Sequence, residues 1–207
     1  MAAGLRERKK HETRQRISDA ASQLFLARGF DEVTVAQVAE AADVSRVTVT
    51  NYFPRKEDLI LDLYDEAETL LLDALRDRPA GQPAAGAMRG LMHRLVAQRH
   101  PLTGTHPDVA VFGRLVAASP ALRDRAREQQ DELAAAVATL LAEETGDPAG
   151  AELAGGLLLA TIRTLVVTPI RRLMTGEPAE TVVTDLDRQI DRAFDLLADG
   201  LRGFAPH

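Results

Sequence analysis

Within residues 45–53, SRVTVTNYF, four side chains are suited to recognition chemistry: Arg46, Val47, Thr48 and Thr50. An arginine presents a planar fork of donors that matches guanine. Valine and threonine methyls fit the thymine methyl, and hydroxyls meet bases or phosphates. That chemistry needs the residues on one exposed face. The stretch is ambiguous, because Val47, Thr48, Val49 and Thr50 are all β-branched and alternate apolar with polar. Alone, this is the pattern of a half-buried strand.

The surroundings decide for helix. Helical periodicity lies on both sides, and a lone strand would leave its backbone groups without partners. Four β-branched residues cost a helix about 2 kcal/mol relative to alanine. Burying Val49 and Phe53, one turn apart, returns roughly 3–6 kcal/mol. On a helical wheel these two define the core stripe. Val47 and Asn51 then point away from it, with Thr48 and Tyr52 on one flank and Arg46 and Thr50 on the other.

The elements that must hold this short helix are legible upstream. Ile17, Ala20, Ala21, Leu24 and Phe25 form the stripe of a first amphipathic helix, which Gly29 ends. Thr34 and Gln37 frame a capping box that opens a second short helix, with Val35, Val38, Ala39 and Ala42 facing inward. A tight turn follows, and Ser45 is suited to cap the third helix. Two short helices joined by a tight turn, the second presented outward, make a helix-turn-helix.

Residues 13–60 resemble the DNA-binding domain of the TetR family of bacterial transcriptional regulators. The matching residues are Arg16, Ile17, Ala20, Ala21, Leu24, Phe25, Gly29, Thr34, Val35, Ala39, Val44, Ser45, Tyr52, Phe53, Lys56 and Leu59. The resemblance implies a homodimer on a palindromic operator in double-stranded DNA. By motif position it implies base contacts at Arg46, Val47, Thr48 and Thr50, and phosphate contacts at Thr34, Tyr52 and Lys56. The outward Asn51 is grouped with the phosphate contacts. The family often has a small residue at position 47 and tyrosine at 50, so the base preferences of relatives do not transfer.

The net charge of −6 argues weakly against a nucleic-acid partner, but its distribution argues for one. Arg6, Arg8, Lys9, Lys10, Arg14 and Arg16 make the N-terminal arm basic, whereas the rest of the chain is acidic. A local patch decides phosphate contact, not the total.

Downstream the chain is predicted to be all-α, with about nine helices in total. A long helix of about five turns is expected from Lys56, then a Pro/Gly loop at 78–86. Further helices are expected at 84–99, 107–118, 120–145, 148–174 and 178–203, started by Pro107, Pro120, Pro148 and Pro178. The expected organisation is a three-helix helix-turn-helix domain with its basic arm (1–55), followed by a larger helical effector-binding and dimerisation domain (56–207).

Arg163 is the only charge between Glu152 and Arg171, in a nearly wholly apolar run. Burial there would demand an anionic partner, either a protein carboxylate or an acidic group on an apolar ligand. Met88, Met92 and Phe112 are the other candidate ligand contacts. Gly155 and Gly156 permit close helix approach, and Leu186, Ile190, Phe194 and Leu197 share a stripe. These are the candidate dimer contacts, in a bundle of the last two helices of each protomer.

No cofactor or metal is implied. Cysteine is absent, which removes disulfides and thiolate sites, and His93, His100 and His106 match no standard ligand spacing. No nucleophile motif points to an enzyme. By this reading no apolar run approaches a membrane span, and the N-terminus lacks an apolar signal region, so no membrane partner and a cytoplasmic location are expected. The function that fits is a dimeric repressor released from its operator by a small molecule. The alternative is a ligand-independent DNA-binding activator or architectural protein.

Overall fold

The computed structural model describes residues 2–106 and 108–199, with side chains from Arg8 onward. Among these residues there are nine α-helices and no strand: α1 (Ala2–Arg28), α2 (Val35–Ala41), α3 (Arg46–Tyr52), α4 (Tyr64–Arg76), α5 (Ala84–Ala97), α6 (Val109–Ala118), α7 (Pro120–Thr145), α8 (Pro148–Met174) and α9 (Ala179–Asp199). Two short 3-10 turns lie at Glu57–Leu59 and Pro101–Thr103. The expected helix starts at Pro120 and Pro148 are met, and α9 begins one residue after Pro178. The expected start at Pro107 lies outside the described residues. The last expected helix reached 203; its end beyond Asp199 also lies outside them.

The chain forms two compact units. The first comprises Met1–Asp62 with Arg114–Ala126. Its core joins Ile17, Ala21 and Phe25 of α1 to Val38, Val49 and Phe53, with Phe25 and Phe30 ring centroids 5.1 Å apart. Helix α1 continues through the basic arm to Ala2. The unit extends past the boundary expected at residue 55, because Leu59 is 1% exposed within this core and Leu122, from the start of α7, is fully buried in it.

The helix expected from Lys56 is interrupted. After Glu57–Leu59 the chain leaves helical geometry until Tyr64. Side chains satisfy the backbone there. Arg14 donates to the carbonyls of Tyr52 (3.2 Å) and Asp62 (2.9 Å), and the Ser18 hydroxyl donates to the Asp62 carboxylate. Asp58 accepts the Arg55 backbone N–H at 3.2 Å and Arg125 Nε–H at 2.8 Å. Polar groups freed from a helix need such partners.

The second unit comprises Leu63–Gly113 with Arg127–His207. Its core draws on α4, α5, α7, α8 and α9. Gly155 lets α7 and α8 touch: a Cβ at that position would lie 2.9 Å from the Ala134 carbonyl oxygen and 3.2 Å from Ala138 Cβ. Arg172 at the end of α8 donates to Glu177 and, at 2.7 Å, to Asp185, which ties the turn into α9.

Helix α8 corrects the reading that no apolar run approaches a membrane span. By length and composition alone it could cross a membrane, with mean hydropathy 1.7 over an 18-residue window. Ala151, Gly155, Leu158, Leu159, Ile162, Leu165 and Pro169 are buried within the chain, so α8 serves as a core helix. Its opposite face is exposed and also mostly apolar.

Candidate nucleic-acid interface

The interface begins at Thr34. Its hydroxyl accepts the Gln37 backbone N–H at 3.3 Å, and Gln37 Oε1 accepts the Thr34 backbone N–H at 2.8 Å, the reciprocal capping expected from sequence. After α2 the chain turns through Asp43, whose φ of 51° is left-handed, a conformation that aspartate tolerates better than most residues. Ser45 then caps α3 by accepting the Thr48 N–H at 3.0 Å.

Val49 and Phe53 are buried, at 0% and 3% exposure, and so fix how α3 is rolled. Arg46, Val47, Thr50 and Asn51 are exposed in consequence, and Thr48 and Tyr52 are half-buried. Val47 is 67% exposed, unusual for a large apolar side chain. Thr48 shares a 2.8 Å hydrogen bond with Ser45 through its hydroxyl. Thr50 donates its hydroxyl to the Val47 carbonyl at 3.1 Å, which leaves its methyl and oxygen lone pair to meet a partner.

Lys56 is held by aromatic rings. Its ammonium lies 4.2 Å from the Phe30 centroid and 5.9 Å from that of Phe25. A cation on an aromatic face is attracted to the ring electrostatically. Arg8, Lys9, Lys10 and Arg16 are exposed along α1, with Arg8 3.6 Å from Glu12.

Two residues that position this surface were not legible in the sequence. Arg14 belongs to the basic run, yet it is half-buried, with its guanidinium 4.5 Å above the Phe53 ring and bonded to the carbonyl at the end of α3. Arg125 pairs with Asp58, both at least 86% buried as side chains. Their partners lie 38 to 67 positions away, and only local spacing was available to read.

The other expected contacts do not converge. Met88 and Met92 are packed in the core of the second unit, Phe112 is half-buried on α6, and Arg163 is exposed on α8. The cost of burying Arg163, and with it the demand for an anionic ligand group, disappears. Leu186, Ile190 and Phe194 are buried in the core of the second unit, and Leu197 packs against that core. Gly155 meets α7. Of the expected dimer contacts only Gly156 faces outward: a Cβ at that position would have nothing within 4 Å. The α9 stripe satisfies its periodicity inside the chain's own second unit. Periodicity shows that a stripe is covered, not which chain covers it.

A short capped helix, joined to α2 by a tight turn and rolled so that Arg46 and Val47 face outward, has the geometry of a helix-turn-helix. Residues 17–63 match the sequence model for bacterial regulatory proteins of the tetR family. The HTH-type transcriptional regulator TcmR of Streptomyces glaucescens is 28% identical over 202 residues, covering 96% of this chain and 87% of that protein. Among solved structures, FadR of Thermus thermophilus, a TetR family transcriptional repressor in complex with lauroyl-CoA, is 27% identical. It has a TM-score of 0.50 and covers 94% of this chain and 99% of its own. NalD of Pseudomonas aeruginosa, the secondary repressor of the MexAB-OprM multidrug efflux pump, shares the fold at 21% identity. Its TM-score is 0.54, over 88% of this chain and 97% of that one. The chain is thus similar to TetR-family transcriptional regulators, through residues 17–63 in the family match and along most of its length in the match to TcmR.

Proposed function

We propose that the protein is a homodimeric repressor, working in the bacterial cytoplasm, that leaves a palindromic operator when a small molecule binds its second unit. The outward face of α3 carries the reading. Arg46 and Thr50 offer polar contacts to base edges, and Val47 offers methyls to thymine. Thr34, Asn51, Tyr52 and Lys56 surround them as phosphate contacts. The division of labour follows the two units: residues up to 62 with 114–126 hold DNA, and the remainder binds effector and the second protomer. An effector that prefers the conformation with the wrong recognition-helix spacing shifts the population away from DNA.

A footprint on the DNA flanking the gene tests this. Two protected half-sites about 34–36 Å apart, or a multiple of that, support a two-fold symmetric dimer. A single, non-palindromic half-site contradicts it. Lauroyl-CoA, the ligand of the Thermus relative, is the first compound to titrate into the complex. An effector identified in a wider metabolite screen should release the operator. DNA binding indifferent to every bound ligand would favour the ligand-independent alternative.

A further inference from the structure

The turn that carries Lys56 is held from a distant helix. Within it the Asp58 N–H donates to the Arg55 carbonyl at 3.2 Å, and the Leu59 N–H donates to the Lys56 carbonyl at 3.2 Å. Asp58 closes the turn by accepting the Arg55 backbone N–H on Oδ2 at 3.2 Å. Its other oxygen, Oδ1, accepts Arg125 Nε–H at 2.8 Å, from the second turn of α7. The Arg125 and Asp58 side chains are 12% and 14% exposed, so salt screens the pair weakly. Leu59, next to Asp58, and Leu122, one turn before Arg125, are buried in the same core.

The bond from Asp58 to Arg55 is enough to close the turn. The bond from Arg125 adds an attachment to α7, and burying this ion pair costs desolvation that an aspartate capping a turn in water does not incur. What the attachment fixes is the backbone two residues after Lys56, whose ammonium lies 4.2 Å from the Phe30 ring centroid. Helix α7 runs unbroken from Pro120 to Thr145. Among the described residues it is the one α-helix with buried residues in both cores, Leu122 in the first and Val137 and Leu141 in the second.

We infer that Arg125 is a positioning residue for DNA binding: it anchors the Lys56 turn to α7 and so makes the phosphate contact at Lys56 depend on where α7 lies. This rests on the reading of Lys56 as a phosphate contact. A change in the second core that displaces α7 then reaches Lys56 through one buried ion pair, without a contact to α3.

Salt-dependent anisotropy titrations of the full chain on the footprinted operator test this. Asp58→Asn combined with Arg125→Leu removes the ion pair, leaves no uncompensated charge and keeps an acceptor for the Arg55 N–H. This double variant should lower the slope of log affinity against log salt by about one, as Lys56→Ala does, and adding Lys56→Ala to it should lower the slope no further. Arg125→Lys, which keeps a cation for Asp58, should keep most of the natural slope. Leu122→Ala loosens the same core and should leave the slope unchanged. Circular dichroism checks that each variant is folded. A natural slope in the double variant overturns the inference, and so does a further loss of about one on adding Lys56→Ala, because Arg125 would then act independently of Lys56. An unchanged slope in Lys56→Ala alone overturns the phosphate reading together with it.

Discussion

The Arg14 guanidinium donates to the Asp62 carbonyl at 2.9 Å, a bond that joins the basic end of α1 to the non-helical segment before α4. The same side chain reaches the Tyr52 carbonyl and covers the Phe53 ring. A residue of the basic run is therefore a staple for the end of the recognition helix. Hydrogen bonds from a charged donor are worth about 1.5–3 kcal/mol when their partner would be left unsatisfied. Arg14→Ala should cost the first unit about 2 kcal/mol in denaturant unfolding and weaken operator and random DNA alike. A variant of unchanged stability would place Arg14 among the solvated charges.

The Lys56 ammonium lies 4.2 Å from the Phe30 ring centroid, a few residues beyond the end of α3. Lys56→Ala should weaken binding to all sequences about equally and lower the slope of log affinity against log salt by about one. Titrations at several salt concentrations measure this. An unchanged slope removes Lys56 from the phosphate contacts.

His93 of α5 has both ring nitrogens against α9 carboxylates, Nδ1 2.7 Å from Asp187 and Nε2 3.0 Å from Asp191. Arg89 and Asp195 face the same seam. Only the doubly protonated ring can donate to both carboxylates. Burial works against its charge, but the two carboxylates outweigh it and hold the His93 pKa above its ordinary value. The raised value fixes the sign: the contribution is complete below the unfolded pKa of about 6.5 and is lost as pH rises through the folded value. The carboxylates are well exposed, so the effect should be below about 1 kcal/mol. Melting temperatures of the natural chain and His93→Gln should converge as pH rises from about 5.5 to 8.5. A constant difference would show that His93 does not titrate in this seam.

Leu186 and Leu153 should respond differently to a buried-charge substitution. Leu186 is fully buried in the core, so Leu186→Glu should unfold the second unit or cost about 4 kcal/mol or more. Leu153→Glu, on the exposed face of α8, should leave the protomer folded, changing stability by about 0.5 kcal/mol or less apart from any effect on association. Calorimetry at low protein concentration separates the two. Equal losses would mean that Leu153 is not a surface residue in solution.

What the sequence disclosed was local. Thr34, Gln37 and Ser45 announce their caps within three residues, and Val49 and Phe53 fix the roll of α3 one turn apart. The prolines at 120 and 148 mark helix starts to the residue. What stayed hidden was set by distant partners. Nothing near Lys56 reveals that Arg14 and Ser18 will satisfy the backbone and carboxylate of Asp62 and so break the helix. Nothing in α9 distinguishes a stripe buried by α5 and α8 from one buried by another subunit. Arg163 misled because an apolar run suggests burial all round, whereas α8 buries one side and leaves the other exposed. Gly155 and Gly156 are adjacent, yet only Gly155 meets a neighbouring helix, which the packing of α7 decides.

Everything proposed for the DNA complex depends on the outward face of α3 reading base sequence. Gel-shift titration of Arg46→Ala against the footprinted operator and a scrambled duplex of equal length decides whether it does. An arginine paired with guanine contributes about 1–3 kcal/mol of discrimination. The variant should therefore lose about 5- to 150-fold on the operator and little on the scrambled duplex. Equal loss on both would show that Arg46 contacts only the backbone, and an unchanged operator affinity would show that α3 does not read DNA through this face.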